Sequence, residues 1–194
     1  SELGASRSGG GEGSGPGVGT VGGIGSLVAV PNMSLGSIHL FSWAAGPRLI
    51  GTAGHPARVS AGDLDGNGLD DLVIADLGDT LPTDDPTGRV IIALQRKEGE
   101  FEFQTLVDGI GRVADVRALD IDLDGDLDLV VAAFGYLRRG GVYLLRNETS
   151  ADGLDFRLER VSDRTGAVSI VPVYDLQPGT GPGFVVAFSQ EHEL

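Results

Sequence analysis

Two short segments of the sequence place carboxylates at the spacing of a cation-binding loop. Counted from its first Asp, the first segment carries ligand candidates at positions 1, 3, 5, 7 and 9, namely Asp63, Asp65, Asn67, Leu69 and Asp71. The second segment fills the same five positions with Asp120, Asp122, Asp124, Asp126 and Asp128. Alternate oxygens on a curled loop can converge on one centre, and Leu69 would supply its backbone carbonyl. Since an all-oxygen donor set on a flexible loop suits Ca²⁺ better than the stricter Mg²⁺, we predict two calcium sites.

The charge of the chain favours cation sites over a basic partner. The 194 residues carry a formal net charge of −14, and nine of the 28 acidic residues fall in the two segments. The other 19 acids and the 14 bases leave only −5. Like charges held a few ångströms apart repel, so something positive is needed to offset them. Because the acidity is local and negative, we do not expect nucleic acid as a partner.

The EF-hand is the main alternative for these segments, because its loop also begins with D-x-D-x-[DN]-G. An EF-hand needs a bidentate Glu at position 12 and flanking helices, whereas position 12 here is Ile74 or Val131, inside β-prone runs. A second alternative is a solvated acidic turn that binds nothing, because Asp, Asn and Gly favour turns. Two copies in register favour the metal interpretation. Asp70 lies off the alternation and is interpreted as a surface acid.

The sequence offers little support for a catalytic site, a sugar-binding site or a membrane segment. The chain has no cysteine, and its three histidines, His39, His55 and His192, belong to no zinc-protease, nucleophile-elbow or phosphate-loop motif. We therefore expect packing roles for the histidines and no enzymatic activity. Trp43 could offer an aromatic platform for a sugar, but a core position is the preferred interpretation. No run approaches the roughly 20 apolar residues that cross a bilayer, so we expect no membrane insertion.

The acidic segments belong to an internal repeat. VSAGDLDGNGLDDLVIA, residues 59–75, aligns with VRALDIDLDGDLDLVVA, residues 116–132, at a shift of 57 residues. A third copy, VPVYDLQPGTGPGFVVA, follows 55 residues later. At the five ligand positions this copy has Asp175, Gln177, Gly179, Gly181 and Gly183. Because one carboxylate remains, we predict no metal in the third copy.

A glycine-led, β-prone run accompanies the acidic segments, as GSIHLF, GRVIIAL and GGVYLL. Alternating apolar residues are typical of half-buried strands, and the 32 glycines favour turns over helices. Each unit therefore predicts four antiparallel strands, which is what a β-propeller blade requires. We predict an all-β fold with a flexible leader at 1–22, a part-blade at 23–54, blades at 55–112 and 113–168, and a part-blade at 169–194.

The two middle units resemble the FG-GAP or VCBS repeats of integrin α-subunit propellers and of many bacterial exported proteins. The resemblance rests on DLDGNGLDDLVIA, on DIDLDGDLDLVVA and on the glycine-led runs behind them. It implies a module located outside the cell, at the cell surface or in the periplasm, in which calcium is structural and the loops meet a protein or glycan. The alternatives are a propeller domain of an exported enzyme, such as a polysaccharide-degrading enzyme, and a purely structural spacer. A closed propeller needs at least four blades, so we expect other chains or further blades to complete this one.

Overall fold

A computed structural model describes residues 27–42, 44–81, 83–136, 139–150, 153–174 and 181–189. The regular elements in these ranges are 13 β-strands, and no helix occurs among them. The described part of the chain accordingly contains no helix suited to spanning a membrane. Several predictions fall outside the described residues: those for the leader at 1–22, Trp43, Asp175, Gln177, Gly179 and His192.

The strands form four antiparallel sheets in chain order. Sheet I contains β1 (Leu27–Asn32), β2 (Ser37–Ser42) and β3 (Gly46–Thr52). Sheet II contains β4 (Pro56–Gly62), β5 (Asp71–Asp76), β6 (Arg89–Lys97) and β7 (Glu100–Asp108). Sheet III contains β8 (Arg112–Leu119), β9 (Asp128–Phe134), β10 (Gly141–Asn147) and β11 (Phe156–Ser162). Sheet IV contains β12 (Ala167–Val173) and β13 (Gly183–Phe188).

This arrangement confirms the predicted all-β class and the four-stranded unit. In sheets II and III each strand pairs with the next along the chain, as in a propeller blade. The four sheets together form a partial β-propeller that is not closed. The boundaries predicted for the blades and part-blades stay a prediction.

The apolar runs form strands because they are buried on both faces between successive sheets. Every residue of β5 is buried, whereas the outer strands β7 and β11 are largely exposed. Three apolar layers result, between sheets I and II, II and III, and III and IV. Leu72 and Ile74 face sheet I, while Val73 and Ala75 face sheet III. A strand with apolar residues on both faces therefore belongs in the middle of a stack.

Glycine permits the close contact where one sheet meets the next. A Cβ atom on Gly88, just before β6, would lie 2.0 Å from the carbonyl oxygen of Gly111, just before β8. The amide of Gly88 donates a hydrogen bond of 2.7 Å to that same oxygen. The sequence marks this position as the glycine that leads the third strand of the unit, and the close approach explains why a side chain is excluded there.

One buried carboxylate joins three of the sheets. Asp115 on β8 has no exposed surface. Its Oδ1 lies 3.4 Å from Nε of Arg58 on β4, and its Oδ2 accepts a hydrogen bond of 2.8 Å from the amide of Ile170 on β12. Arg117, on the same strand as Asp115, also donates to Oδ2 at 3.3 Å. These contacts satisfy the buried charge and connect sheets II, III and IV.

Candidate metal centre

The first acidic segment is the turn between β4 and β5, which we call loop one (residues 63–71). Side-chain oxygens of Asp63, Asp65 and Asp71 all lie within 4.8 Å of one another. Two of these residues are half-buried and Asp71 is fully buried. The strand pairing therefore brings the first, third and ninth positions of the predicted ligand set to one point.

Hydrogen bonds from backbone amides curl loop one around its first carboxylate. Asp63 accepts from the amides of Asn67 at 3.1 Å and Gly68 at 2.8 Å. The Oδ1 of Asn67 accepts from the amide of Leu69 at 2.7 Å, and its Nδ2 donates to the carbonyl oxygen of Gln95 at 3.2 Å. Gly66 and Gly68 both have positive φ values, 72° and 84°. Glycine adopts this region without strain, which permits the tight curl.

Asp71 is a buried anion at the start of β5. Its two oxygens accept hydrogen bonds from the amides of Leu64 at 2.9 Å and Gln95 at 2.7 Å. Burial nevertheless raises its pKa to about 6, although these two hydrogen bonds lower it, and the nearby charges of Asp65 and Asp63 raise it further. A positive ion beside this carboxylate would favour its charged form and so oppose the rise in its pKa.

The second acidic segment is the turn between β8 and β9, which we call loop two (residues 120–128). Oxygens of Asp120, Asp122 and Asp124 lie within 4.8 Å of one another. Oδ2 of Asp120 accepts from the amide of Gly125 at 3.2 Å. Its Oδ1 is buried and has no hydrogen-bond partner among the described residues. Buried carboxylate oxygens normally accept a hydrogen bond or contact an ion, so a partner of this kind is expected for Oδ1.

The ninth position behaves differently in loop two. Asp128 is buried and accepts hydrogen bonds from the amides of Ile121 at 3.2 Å and Asn147 at 2.8 Å, but it lies outside the loop-two cluster. Burial raises its pKa, and the bonds from Asn147 and Ile121 oppose that effect. Asp126 also lies outside the cluster, and its amide donates to Asp124 at 3.0 Å. The structure thus assembles three of the five predicted positions in each loop into a carboxylate cluster.

Sequence analysis missed the arginine that reaches each loop. Arg96 on β6 lies 3.0 Å from Asp65, and Arg146 on β10 lies 2.5 Å from Asp122. Both carboxylates occupy position 3 of their loops. Each arginine comes from the end of the glycine-led strand, which pairs with the strand behind the loop. The hairpin register was the signal that could have indicated these contacts.

A second buried carboxylate, Asp76, lies at the opposite end of β5. It accepts hydrogen bonds from the amides of Gly54 and His55, and Arg89 donates to it from Nε at 3.0 Å. Burial raises its pKa, but the bonds from His55, Gly78 and Arg89 outweigh burial and lower the pKa overall. The ring of His55 contacts the carbonyl oxygen of Gly78 through Nδ1 at 2.7 Å. These groups hold adjoining turns together.

The fold and the loops together define a class of protein. Successive four-stranded antiparallel sheets, with an acidic turn between the first and second strands, are the blades of a propeller-type repeat protein. Residues 63–131 match the family model described as the FG-GAP-like repeat. That segment begins at loop one and includes loop two, so the resemblance to FG-GAP-like repeats is confirmed over these residues. No curated protein matches the chain.

Proposed function

We propose that this chain is a calcium-binding module of the FG-GAP type that works outside the cell as a protein- or glycan-binding scaffold. One observation carries the calcium part of the proposal. Two loops at the same position of successive sheets each bring three carboxylates within 4.8 Å. Grouping so many acids is unfavourable without a cation, and the same unfavourable arrangement occurs twice.

The donors fit a hard divalent cation. They are carboxylate oxygens, with Asn67 and the carbonyl of Leu69 as further oxygen donors of loop one, and no thiolate is available because the chain lacks cysteine. Among the residues that the structure describes, the buried Oδ1 of Asp120 in loop two has no hydrogen-bond partner, so it is available to a cation. The arginines offset part of the charge, since each pairs with one carboxylate of a cluster. In loop one Asp63, Asp65 and Asp71 would hold the ion, and in loop two Asp120, Asp122 and Asp124.

Calcium would act as a structural ion. It would offset the repulsion within each cluster and, in loop one, tie the start of the turn to Asp71 on β5. Folding and metal binding would therefore be coupled. Carboxylate loops of modest rigidity suit the millimolar calcium found outside cells, which supports an extracellular, surface or periplasmic location. The fold itself does not specify the ligand, so protein or glycan binding is inferred from the kind of repeat.

Calcium titration by calorimetry on the metal-stripped chain tests this proposal. We expect two sites, and calcium should raise the melting temperature because it binds only the folded loops. Asp63→Ala should remove one site and Asp120→Ala the other. The matched control is Asp108→Asn, which removes one charge from an exposed strand end and should keep both sites. A melting temperature that does not respond to calcium, or a titration without binding, would contradict the proposal.

A further inference from the structure

Asn147 makes hydrogen bonds to both acidic loops. It is the last residue of β10 in sheet III and is 6% exposed. Its backbone amide donates a hydrogen bond of 2.8 Å to Oδ1 of Asp128, the ninth position of loop two. Its side-chain Nδ2 donates a hydrogen bond of 3.0 Å to the carbonyl oxygen of Leu64 in loop one. One buried residue of sheet III therefore contacts the loop of its own sheet and the loop of the sheet before it.

The contact with Leu64 reaches the carboxylate cluster of loop one. Leu64 stands between Asp63 and Asp65, which are two members of that cluster. The amide of Leu64 donates a hydrogen bond of 2.9 Å to Oδ2 of Asp71, the third member. Because the peptide groups of Leu64 adjoin or contact all three carboxylates, the position of Leu64 affects the whole cluster.

The contact with Asp128 reaches the cluster of loop two in the same way. Asp128 also accepts a hydrogen bond of 3.2 Å from the amide of Ile121. Ile121 stands between Asp120 and Asp122, which are two members of the loop-two cluster. A continuous series of hydrogen bonds therefore runs from loop two through Asn147 to loop one.

The corresponding residue of sheet II makes no such link. Gln95 holds the position of Asn147, because each donates its backbone amide to the ninth Asp of its own loop. The side chain of Gln95 is also buried, and its Oε1 accepts a hydrogen bond of 3.2 Å from the amide of Gly99. Its Nε2 has no hydrogen-bond partner in the part of the chain that the structure describes. Gln95 is therefore a matched control, a buried side-chain amide at the same position that donates to neither loop.

We propose that Asn147 is a positioning residue that couples the two calcium sites, so that an ion in one loop raises the calcium affinity of the other. This inference rests on the proposed calcium-binding function. An ion that fixes the carboxylates of one loop also fixes the peptide groups between them. Through Asn147 it reduces the ordering that the other loop must undergo on binding. The coupling is reciprocal, and because one buried hydrogen bond joins the loops we expect a gain in affinity of about five-fold.

Calorimetric calcium titration measures the coupling. Asp63→Ala and Asp120→Ala each leave one site and give the association constant of each loop alone. The product of the two association constants in the unmodified chain should exceed the product of these single-site values by about five-fold. The same set of titrations in an Asn147→Leu background should show no excess. In the Gln95→Leu background the excess should persist.

A shorter polar side chain guards against misfolding of the leucine variant. Should Asn147→Leu fail to fold, Asn147→Ser takes its place in the titrations. Oδ1 of Asn147 accepts a hydrogen bond of 3.0 Å from the amide of Thr149, and a serine hydroxyl can make a similar contact. Serine lacks the Nδ2 donor that reaches Leu64, so the coupling should still be lost.

Hydrogen exchange followed by NMR tests the link with Asn147 intact. In Asp63→Ala only loop two binds calcium, yet calcium should slow the exchange of the Leu64 amide in loop one. The amide of His55 is the internal control, because it donates to Asp76 at the opposite end of β5. Equal slowing of both amides would indicate a general gain in stability and would overturn the proposal.

The outcomes separate this inference from the function on which it rests. Two sites that bind independently, or a coupling that persists without the side chain of Asn147, would overturn the inference and leave calcium binding standing. A titration without any binding would overturn both.

Discussion

Loop one and loop two share their spacing but differ in where the third carboxylate of the cluster comes from. In loop one it comes from Asp71, a buried residue of β5 whose two oxygens are held by backbone amides. In loop two it comes from Asp124, an exposed residue of the turn itself, while Asp128 remains outside the cluster. Loop one therefore includes a donor that the sheet holds in place, whereas the loop-two cluster lies wholly within the turn.

The difference shows that equal spacing does not produce equal sites. A donor fixed by the sheet needs little ordering when an ion binds, but its burial makes the empty site unfavourable. Donors on an exposed turn tolerate the empty state better, yet they must be ordered on binding. We expect loop one to gain more stability from calcium and loop two to respond more to the charges around it.

The largest expected effect comes from the ninth position of each loop. In calcium-loaded protein, Asp71→Ala should lower the free energy of unfolding by about 5 kcal/mol, since two charge-assisted hydrogen bonds and one ion are lost. Asp128→Ala should cost about 2 kcal/mol, because its hydrogen bonds are lost while the loop-two cluster persists. Urea denaturation measures both values. Asp70→Asn, beside Asp71 but outside the cluster, is the control, and equal losses for the two alanine variants would remove the distinction between the loops.

The pH dependence of the metal-free protein should show an intermediate effect. The pKa of Asp71 is raised to about 6 from 3.8, so the folded state binds its proton more tightly than the unfolded chain does. Its contribution to stability is present below about pH 4 and is lost as the pH rises to about 6, by about 2 kcal/mol. Asp76, whose pKa is lowered, acts in the opposite sense. Its contribution to stability is present above the usual pKa of an aspartate, 3.8, and is lost as the pH falls through the lowered pKa.

Melting curves of calcium-free protein between pH 4 and pH 7 measure this effect. Asp71→Asn should flatten the decrease in stability between pH 4 and pH 6, and Asp128→Asn should flatten it less, because the charge of Arg146 opposes the rise that burial causes in the pKa of Asp128. Calcium competes with protons for the same oxygens, so its stabilising effect should be greater at pH 7 than at pH 5. A decrease that persists unchanged in Asp71→Asn would assign the pH dependence to other groups.

The smallest effect concerns the paired arginines. Arg96→Met and Arg146→Met keep an apolar stem and remove a charge that competes with the ion, so calcium affinity should rise a few-fold. The increase should be greater for Arg146, which is 29% exposed compared with 51% for Arg96, because water screens it less. Stability should change by less than about 1 kcal/mol, as is usual for exposed ion pairs. Calorimetric titration of each variant measures the calcium affinity. Weaker calcium binding would mean that the arginine orients the carboxylate for the ion.

Much of the fold could be predicted because the relevant signals are local. The run after each acidic segment is apolar without interruption, which predicted the buried strands β5 and β9, and the glycine-led runs predicted β6 and β10. The repeat then supplied the strand order. Periodicity and turn residues act within a few positions, so one sequence was enough to identify them.

The details of the site could not be predicted because they depend on neighbours that are distant in the chain. Spacing alone does not distinguish the positions within a loop. In the structure the ninth Asp accepts a hydrogen bond from the amide of Gln95 in loop one and from the amide of Asn147 in loop two. Arg96 and Arg146 reach the loops across paired strands, and their contacts depend on register. The calcium titration tests the prediction of two bound calcium ions and of no ion in the third copy.

The carboxylate of Asp115 has a consequence for how the stack comes apart. In repeat proteins each unit touches only its neighbours, so terminal units fray easily and unfolding can proceed one unit at a time. Asp115 contacts Arg58 on the sheet before it and the amide of Ile170 on the sheet after it. When sheet II or sheet IV separates from sheet III, this buried charge loses a partner and is left less compensated, which is unfavourable. Sheets II, III and IV are therefore coupled into one cooperative unit, which resists fraying more than nearest-neighbour packing alone would allow.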